Sequence, residues 1–205
     1  MDNVKIKHNS IIINNTIYFD PYKIEENLNN ASIVFITHSH YDHFSPDDIK
    51  KVKNENTLFV CTSEVKFELV KLGVSLNNVL IVSPNKEYEF GGYKFSTFPA
   101  YTIKSNYHPK INDWVGYIVN INDVNVAVLG DTDATEEAEQ IKCDVLFVPI
   151  GGTYTLDAVE AAQLTNKIMP KIVYPTHYGV LIGSKEDCTV FSENVDKSIE
   201  VKIAY

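Results

Sequence analysis

The amino-acid sequence predicts a mixed α/β protein, and three observations carry that expectation. Short apolar runs bounded by turn residues alternate with capped helical stretches along most of the chain. Pairs of Asn, Asp or Gly separate several of these runs in the manner of hairpin turns. The strands and helices also fall into two rough halves, each a set of strands followed by helices, consistent with two sheets packed face to face between outer helices. With 205 residues the chain is long enough for a large core, and one domain spanning 1–205 is expected.

In chain order, Ser10-Ile11-Ile12-Ile13, the pair Asn14-Asn15 and Thr16-Ile17-Tyr18-Phe19 predict a hairpin ending at Asp20-Pro21. Residues 23–30 are polar and predict a short helix or loop. The apolar run Ile33-Val34-Phe35-Ile36 reads as a strand buried on both faces. Ser45-Pro46-Asp47-Asp48 announces a helix running to about Lys53, with Ser as N-cap and Pro in the first turn. Strands follow over 57–61 and 78–82, with a helix over 63–72 stopped by Gly73. A second hairpin spans 86–98 around Gly91-Gly92, and a third spans 115–129 around Asn122-Asp123. The irregular stretch 99–114 between them is too long for a plain connection, and loops of that length tend to carry function. Buried strands over 144–149 and 171–174 flank a helix over 157–168. Ser184 and Asp187 have capping-box spacing before a last helix, and 198–204 closes as an edge strand.

Composition narrows the classes. Hydrophobic residues at 44% and charged residues at 22% make an ordinary globular mixture rather than a disordered or membrane chain. All 18 basic residues are Lys, so no guanidinium fork is present to clamp a phosphate or carboxylate. The formal charge of −9 argues against a nucleic-acid-binding surface. Three scattered cysteines, Cys61, Cys143 and Cys188, read as reduced thiols of a cytoplasmic protein. The first fifteen residues lack the apolar core of a signal peptide, and no run approaches membrane-spanning length.

Chemistry concentrates in Thr37-His38-Ser39-His40-Tyr41-Asp42-His43, at the end of the buried strand. Three of the six histidines lie here. Alternation along an extended chain sends His38, His40 and Asp42 to one side. Two nearby ions divide the cluster naturally, His38 and His40 on one, Asp42 and His43 on the other. Imidazole and carboxylate suit zinc, manganese or iron.

His-X-His-X-Asp-His after a buried strand resembles the metallo-β-lactamase superfamily. Asp131 in Leu129-Gly130-Asp131-Thr132 and His177 in Pro175-Thr176-His177-Tyr178 sit where that superfamily carries its bridging Asp and last His. The resemblance runs from about residue 11 to 195. It implies a four-layer αββα sandwich and two divalent metal ions, zinc first, with manganese or iron as alternatives. His38 and His40 would share the first ion with His108, a residue that is otherwise a plain loop histidine beside proline. Asp42, His43, Asp131 and His177 would complete the second, with Asp131 bridging. Asp42, Asp131 and His177 are assigned the catalytic role. Asp20-Pro21 either lies beneath the metal site, as in that family, or is simply an Asx turn.

Two ions ~3.5–4 Å apart hold a water between them and lower its pKa toward ~7, so no Ser or Cys nucleophile is required. The expected activity is hydrolysis of a lactone, ester or phosphodiester in a small molecule. The motifs look most like the lactonase-like branch, which includes L-ascorbate-6-phosphate lactonases. A nuclease or phosphodiesterase is the rival enzyme class, and a non-catalytic metal- or ligand-binding module the rival outside enzymes. Around the site, Gly151-Gly152-Thr153-Tyr154-Thr155 reads either as an anion-facing backbone or as a close-packed turn. Tyr41, Tyr101, Tyr107, Trp114 and Tyr178 line the mouth or belong to the core. Lys104, Lys110 and Lys185 are the nearest cations for a substrate anion, or plain solvated lysines. No membrane partner is expected, and a homo-oligomer is compatible with everything read.

Overall fold

A computed structural model describes residues 3–204, a mixed α/β fold with two sheets and, among the described residues, five α-helices. The chain divides into two compact units, residues 3–83 with Ala204, and Pro84–Ile203.

The first unit holds a six-stranded sheet in the order β1(Val4–Lys7), β2(Ser10–Ile13), β3(Ile17–Phe19), β4(Ile33–Phe35), β5(Leu58–Cys61), β6(Val79–Ile81). The first three strands are antiparallel and the rest parallel. Asn14 and Asn15 make the β2–β3 turn at φ of 52° and 60°, a left-handed pair that Asn tolerates. Parallel neighbours need crossovers; α1(Pro46–Val52) and α2(Ser63–Lys71) supply those from β4 to β5 and from β5 to β6, and the loop after β3 supplies the first. The Ser45 hydroxyl caps α1 by accepting from Asp48 N at 3.3 Å, and Gly73 ends α2 at φ 78°. Ile49, Val52, Val65 and Leu69 pack on Val34, Ile36, Phe59 and Cys61. The polar stretch after Tyr22 is a loop, held where Asp48 accepts from Lys23 N and Ile24 N at 2.9 and 3.0 Å. Ile6 N donates to Ala204 O at 3.0 Å, so residue 204 borders β1.

The second unit repeats the plan with seven strands, in the order β13-β12-β11-β10-β9-β8-β7. Strands β7(Glu87–Phe90), β8(Tyr93–Pro99), β9(Val115–Ile121) and β10(Val124–Val128) form an antiparallel meander. Gly91-Gly92 and Asn122-Asp123 turn it, all at positive φ. Strands β11(Val145–Pro149), β12(Ile172–Thr176) and β13(Glu200–Val201) continue in parallel. The intervening helices are α3(Glu136–Glu139), α4(Ala158–Ile168) and α5(Lys185–Asn194). Asp157 and Glu160 form a capping box on α4, whose Ala161, Ala162 and Leu164 join Phe191 of α5 in the core. Ser184 N donates to Asp187 Oδ2 at 2.6 Å, the capping contact expected for the last helix.

Three features depart from expectation. Strand β1 was hidden in a sequence that reads as charged and broken. Helix α3 is a single turn, below the length at which periodicity shows. The closing strand is two residues long rather than the whole of 198–204, because only Glu200 and Val201 pair with β12.

Among the described residues no helix is long and apolar enough to cross a membrane. Burial pushes the Cys61 thiol up to about 12, and its side chain is fully buried. The neutral thiol is thus favoured in the folded state, and its stabilising effect is lost as pH rises from the unfolded value toward 12. By pH 10 this one residue is expected to cost about 1.4 kcal/mol, the equivalent of one pKa unit. Cys61→Ala should flatten that part of the alkaline limb in thermal melts at pH 8–10; an unchanged slope would contradict the assignment.

Candidate metal centre

Strand β4 delivers its carboxyl end into Thr37 and His38, and the parallel strand β3 delivers Asp20 to the same edge. Asp20 is buried, at φ 45°. Its Oδ1 accepts from Thr37 N at 2.8 Å and its Oδ2 from the Thr37 hydroxyl at 2.7 Å. Having given its only hydrogen to Asp20, Thr37 Oγ1 can only accept from His38 Nδ1, 2.9 Å away. The proton of His38 therefore sits on Nδ1, and Nε2 carries the lone pair. His43 Nδ1 lies 2.7 Å from Asp20 Oδ2, which fixes that ring in the same tautomer. Burial raises the Asp20 carboxyl, while His43 and Thr37 oppose the rise. Of the two readings of Asp20-Pro21, the structure thus gives Asp20 the role of orienting histidines, whatever it also does for the turn.

Beyond His38 the chain leaves the extended form. His43 N and Phe44 N both donate to His40 O, at 2.9 and 2.7 Å, closing a turn. Simple alternation therefore holds for His38 and His40, whose Nε2 and Nδ1 approach to 3.1 Å, but not for Asp42. The turn instead brings Asp42 Oδ2 to 3.8 Å from His43 Nε2 and 3.5 Å from His8 Nε2. All four residues expected from this motif are gathered in the first unit.

The second unit gathers the other three. Gly130, at φ 64°, turns the chain after β10 and presents Asp131. His177 follows β12 at φ 58°, a left-handed conformation that a bulky residue adopts at a cost of about 1–3 kcal/mol. His108 is buried despite its loop, against Trp114 with ring centroids 5.5 Å apart. Asp131 directs one oxygen to each histidine. His108 Nε2 lies 3.1 Å from Oδ2, and His177 Nε2 lies 3.4 Å from Oδ1.

The loop that carries His108 is tied down at several points. Asp133 accepts from Ile103 N at 2.7 Å and Lys104 N at 3.0 Å, and Thr102 N donates to His108 O at 2.9 Å. Lys110 and the Tyr101 hydroxyl both bond Glu137, at 2.6 and 2.9 Å.

Donor spacing tests whether such sets fit a metal. Two donors each ~2.1 Å from one ion, at angles between octahedral and tetrahedral, lie about 3.0–3.4 Å apart. The separations of 3.1 Å within the first cluster and 3.1 and 3.4 Å within the second fall in that range, while Asp42 and His43, 3.8 Å apart, lie somewhat beyond it. The chemistry agrees, since imidazole and carboxylate are the donors that catalytic zinc takes. The donor set is one that could hold a divalent metal ion.

The surroundings resolve several open assignments. Lys104 pairs with Glu160 and Lys110 with Glu137, so both are engaged within the fold, while Lys185 is exposed in the first turn of α5. Trp114 and Tyr178 are core, Tyr101 is half-buried, and Tyr41 and Tyr107 are exposed. Tyr107 meets Tyr154 edge-on at 4.6 Å. Gly151 is close-packed, because a Cβ there would lie 2.3 Å from His177 O. Two residues at these clusters escaped the sequence. Asp133 had a weak signal in its place two residues after Asp131. His8 had none, since a polar hairpin tip normally faces water.

Comparison with known proteins gives this geometry a family context. A family model described as the β-lactamase superfamily domain matches residues 5–177. A protein of Listeria welshimeri named as a metal-dependent hydrolase is 24% identical over 206 residues, covering 93% of this chain and 89% of its own. Another of that name from Lysinibacillus sphaericus is 27% identical over 216 residues, covering 98% and 91%. A crystal structure from Parabacteroides distasonis is 27% identical and superposes with a TM-score of 0.79 over 98% of this chain and 91% of that one. A metallo hydrolase of Ignicoccus hospitalis, 20% identical, shares the fold at a TM-score of 0.75 over 98% and 93%.

Proposed function

This chain belongs to the β-lactamase superfamily, and from that premise we propose that it is a metal-dependent hydrolase of small molecules whose two His/Asp clusters serve one dinuclear centre. On this reading His38, His40 and His108 would hold one ion and Asp42, His43 and His177 the other, with Asp131 shared between them. The observation that carries this reading is the Asp131 carboxylate, whose two oxygens face different imidazoles at 3.1 and 3.4 Å. A carboxylate serving a single ion would not need its two oxygens turned to two histidines. The names of the Listeria and Lysinibacillus relatives support the hydrolase class.

Divalent ions held there supply Lewis acidity and acidify water, which is what cleavage of an ester, lactone or phosphodiester requires. The protein's own part is orientation. Asp20 and Thr37 hold the His38 and His43 rings with Nε2 turned outward. The anchors on loop 99–114 keep His108 in place.

The substrate class favoured is a lactone or small ester, as in the lactonase-like branch. The absence of Arg and the charge of −9 weigh against long polyanions. The deciding experiment compares turnover of a sugar-phosphate lactone with that of bis(p-nitrophenyl) phosphate, using zinc- and manganese-loaded protein. Faster cleavage of the lactone is expected. Turnover of RNA above either would replace this substrate class with a nuclease, and tight ligand binding without turnover would replace the enzyme with a binding module.

His108→Ala adds a test of the ligand set. Titration of the apo-variant with zinc should show one weakened binding step and one intact. Two undiminished steps would remove His108 from the centre.

A further inference from the structure

The turn between β1 and β2 is two residues long, His8-Asn9, and such tips normally lie in water. Here His8 is completely buried and Asn9 and Ser10 nearly so, at 0%, 6% and 2% exposure. His8 also takes φ 60°, a conformation that glycine adopts more readily than a residue carrying a ring. Residues held in such backbone conformations persist where the surroundings demand them, and they cluster at functional sites.

What the turn reaches is Asp42, from two directions. The Asn9 side-chain amide donates to the Asp42 backbone carbonyl at 2.6 Å, and His8 Nε2 stands 3.5 Å from Asp42 Oδ2. The first contact fixes where the Asp42 backbone lies. The second limits how its carboxylate rotates. The register of the hairpin is set separately, by the pairs Val4↔Ile13 to Lys7↔Ser10.

We propose that His8 is a positioning residue of the metal centre: with Asn9 it clamps Asp42 so that the carboxylate presents the oxygen that a divalent ion needs. The inference rests on Asp42 being a ligand, as proposed above. Groups that orient metal-binding carboxylates and imidazoles from outside the coordination sphere typically change affinity by about 10–100-fold when removed. The centre would thus include a residue some thirty positions upstream of the His-rich motif, contributed by a hairpin tip.

Cobalt(II) titration of the full-length apo-protein tests this, read both as binding steps and as the visible ligand-field spectrum. His8→Asn tolerates the left-handed backbone but is too short to reach Asp42 Oδ2, and His8→Gly relieves the backbone altogether. Either is expected to weaken one cobalt step by about 10–100-fold and to alter the spectrum of that ion, at an apo-protein Tm close to wild type. If one of the two fails to fold, the other carries the measurement. His8→Gln places an amide nitrogen near the position of Nε2 and should restore affinity to within about threefold of wild type. Wild-type-like titration and spectrum in His8→Asn or His8→Gly would overturn the inference and leave the metal reading standing. A His8→Gln protein as poor as His8→Asn would also overturn it, since a direct ligand could not be replaced by an amide. Failure of the wild type itself to bind cobalt would sink both.

Discussion

Asp131→Ala is expected to purify without either ion, while elemental analysis of the wild type finds up to two per chain. Every other proposed ligand serves one ion, so its removal should leave the second site occupied; His38→Ala is the comparison. Asp131 offers its two oxygens to two different imidazoles, and removing a carboxylate shared by two cations would leave both under-coordinated and their charges unscreened from one another. Activity should fall well beyond the ~10–100-fold typical of residues outside the coordination sphere. Fold should survive, because the neighbouring core of Leu129, Val148 and Ile150 is untouched. An Asp131→Ala protein that retains two ions would end the bridging assignment.

Gly151→Ala is expected to be among the most damaging single substitutions in the second unit. The new methyl would meet His177 O at 2.3 Å and the Ile182 side chain at 2.8 and 2.9 Å. Ile182 is able to rotate. The carbonyl is not, since it belongs to a backbone already held at φ 58°. Overpacking against such a wall should cost about 3 kcal/mol, roughly 6–12 °C in Tm for a chain of this size. Moving His177 should also weaken one metal-binding step. Gly92→Ala is the control: nothing lies within 4 Å of a Cβ there, so only its positive φ is penalised, at about 1 kcal/mol. Melting curves that rank the two equally would show that the contact with His177 is not the cause.

The parts of this protein that could be read from its sequence are those whose physics is local. Asn14-Asn15, Gly91-Gly92 and Asn122-Asp123 announce their turns because few other residues accept those dihedrals. Ser45 announces its helix because its side chain satisfies one of the first N–H groups. The His-rich motif is legible because four donors are adjacent in the chain. Non-local properties stayed hidden. Nothing in Val4-Lys5-Ile6-Lys7 says that β2 will pair with it. Nothing in His8-Asn9-Ser10 says that a hairpin tip will be buried. His108 showed its residue type but not the direction of its ring, which depends on Asp133, Thr102 and the Lys110–Glu137 pair.

The hydrogen bond from Ile6 N to Ala204 O bears on the order in which this chain can fold as it is made. Residue 204 leaves the ribosome only after the whole of Pro84–Ile203 has been synthesised. The first unit can assemble its strands and cross its helices over them long before, yet the outer border of β1 waits for that last contact. During that interval the nascent protein carries an open strand edge, the feature through which partly folded chains most readily pair with one another. Lys5, exposed in that four-residue strand, is a charge of the kind that discourages such pairing while the edge is uncovered.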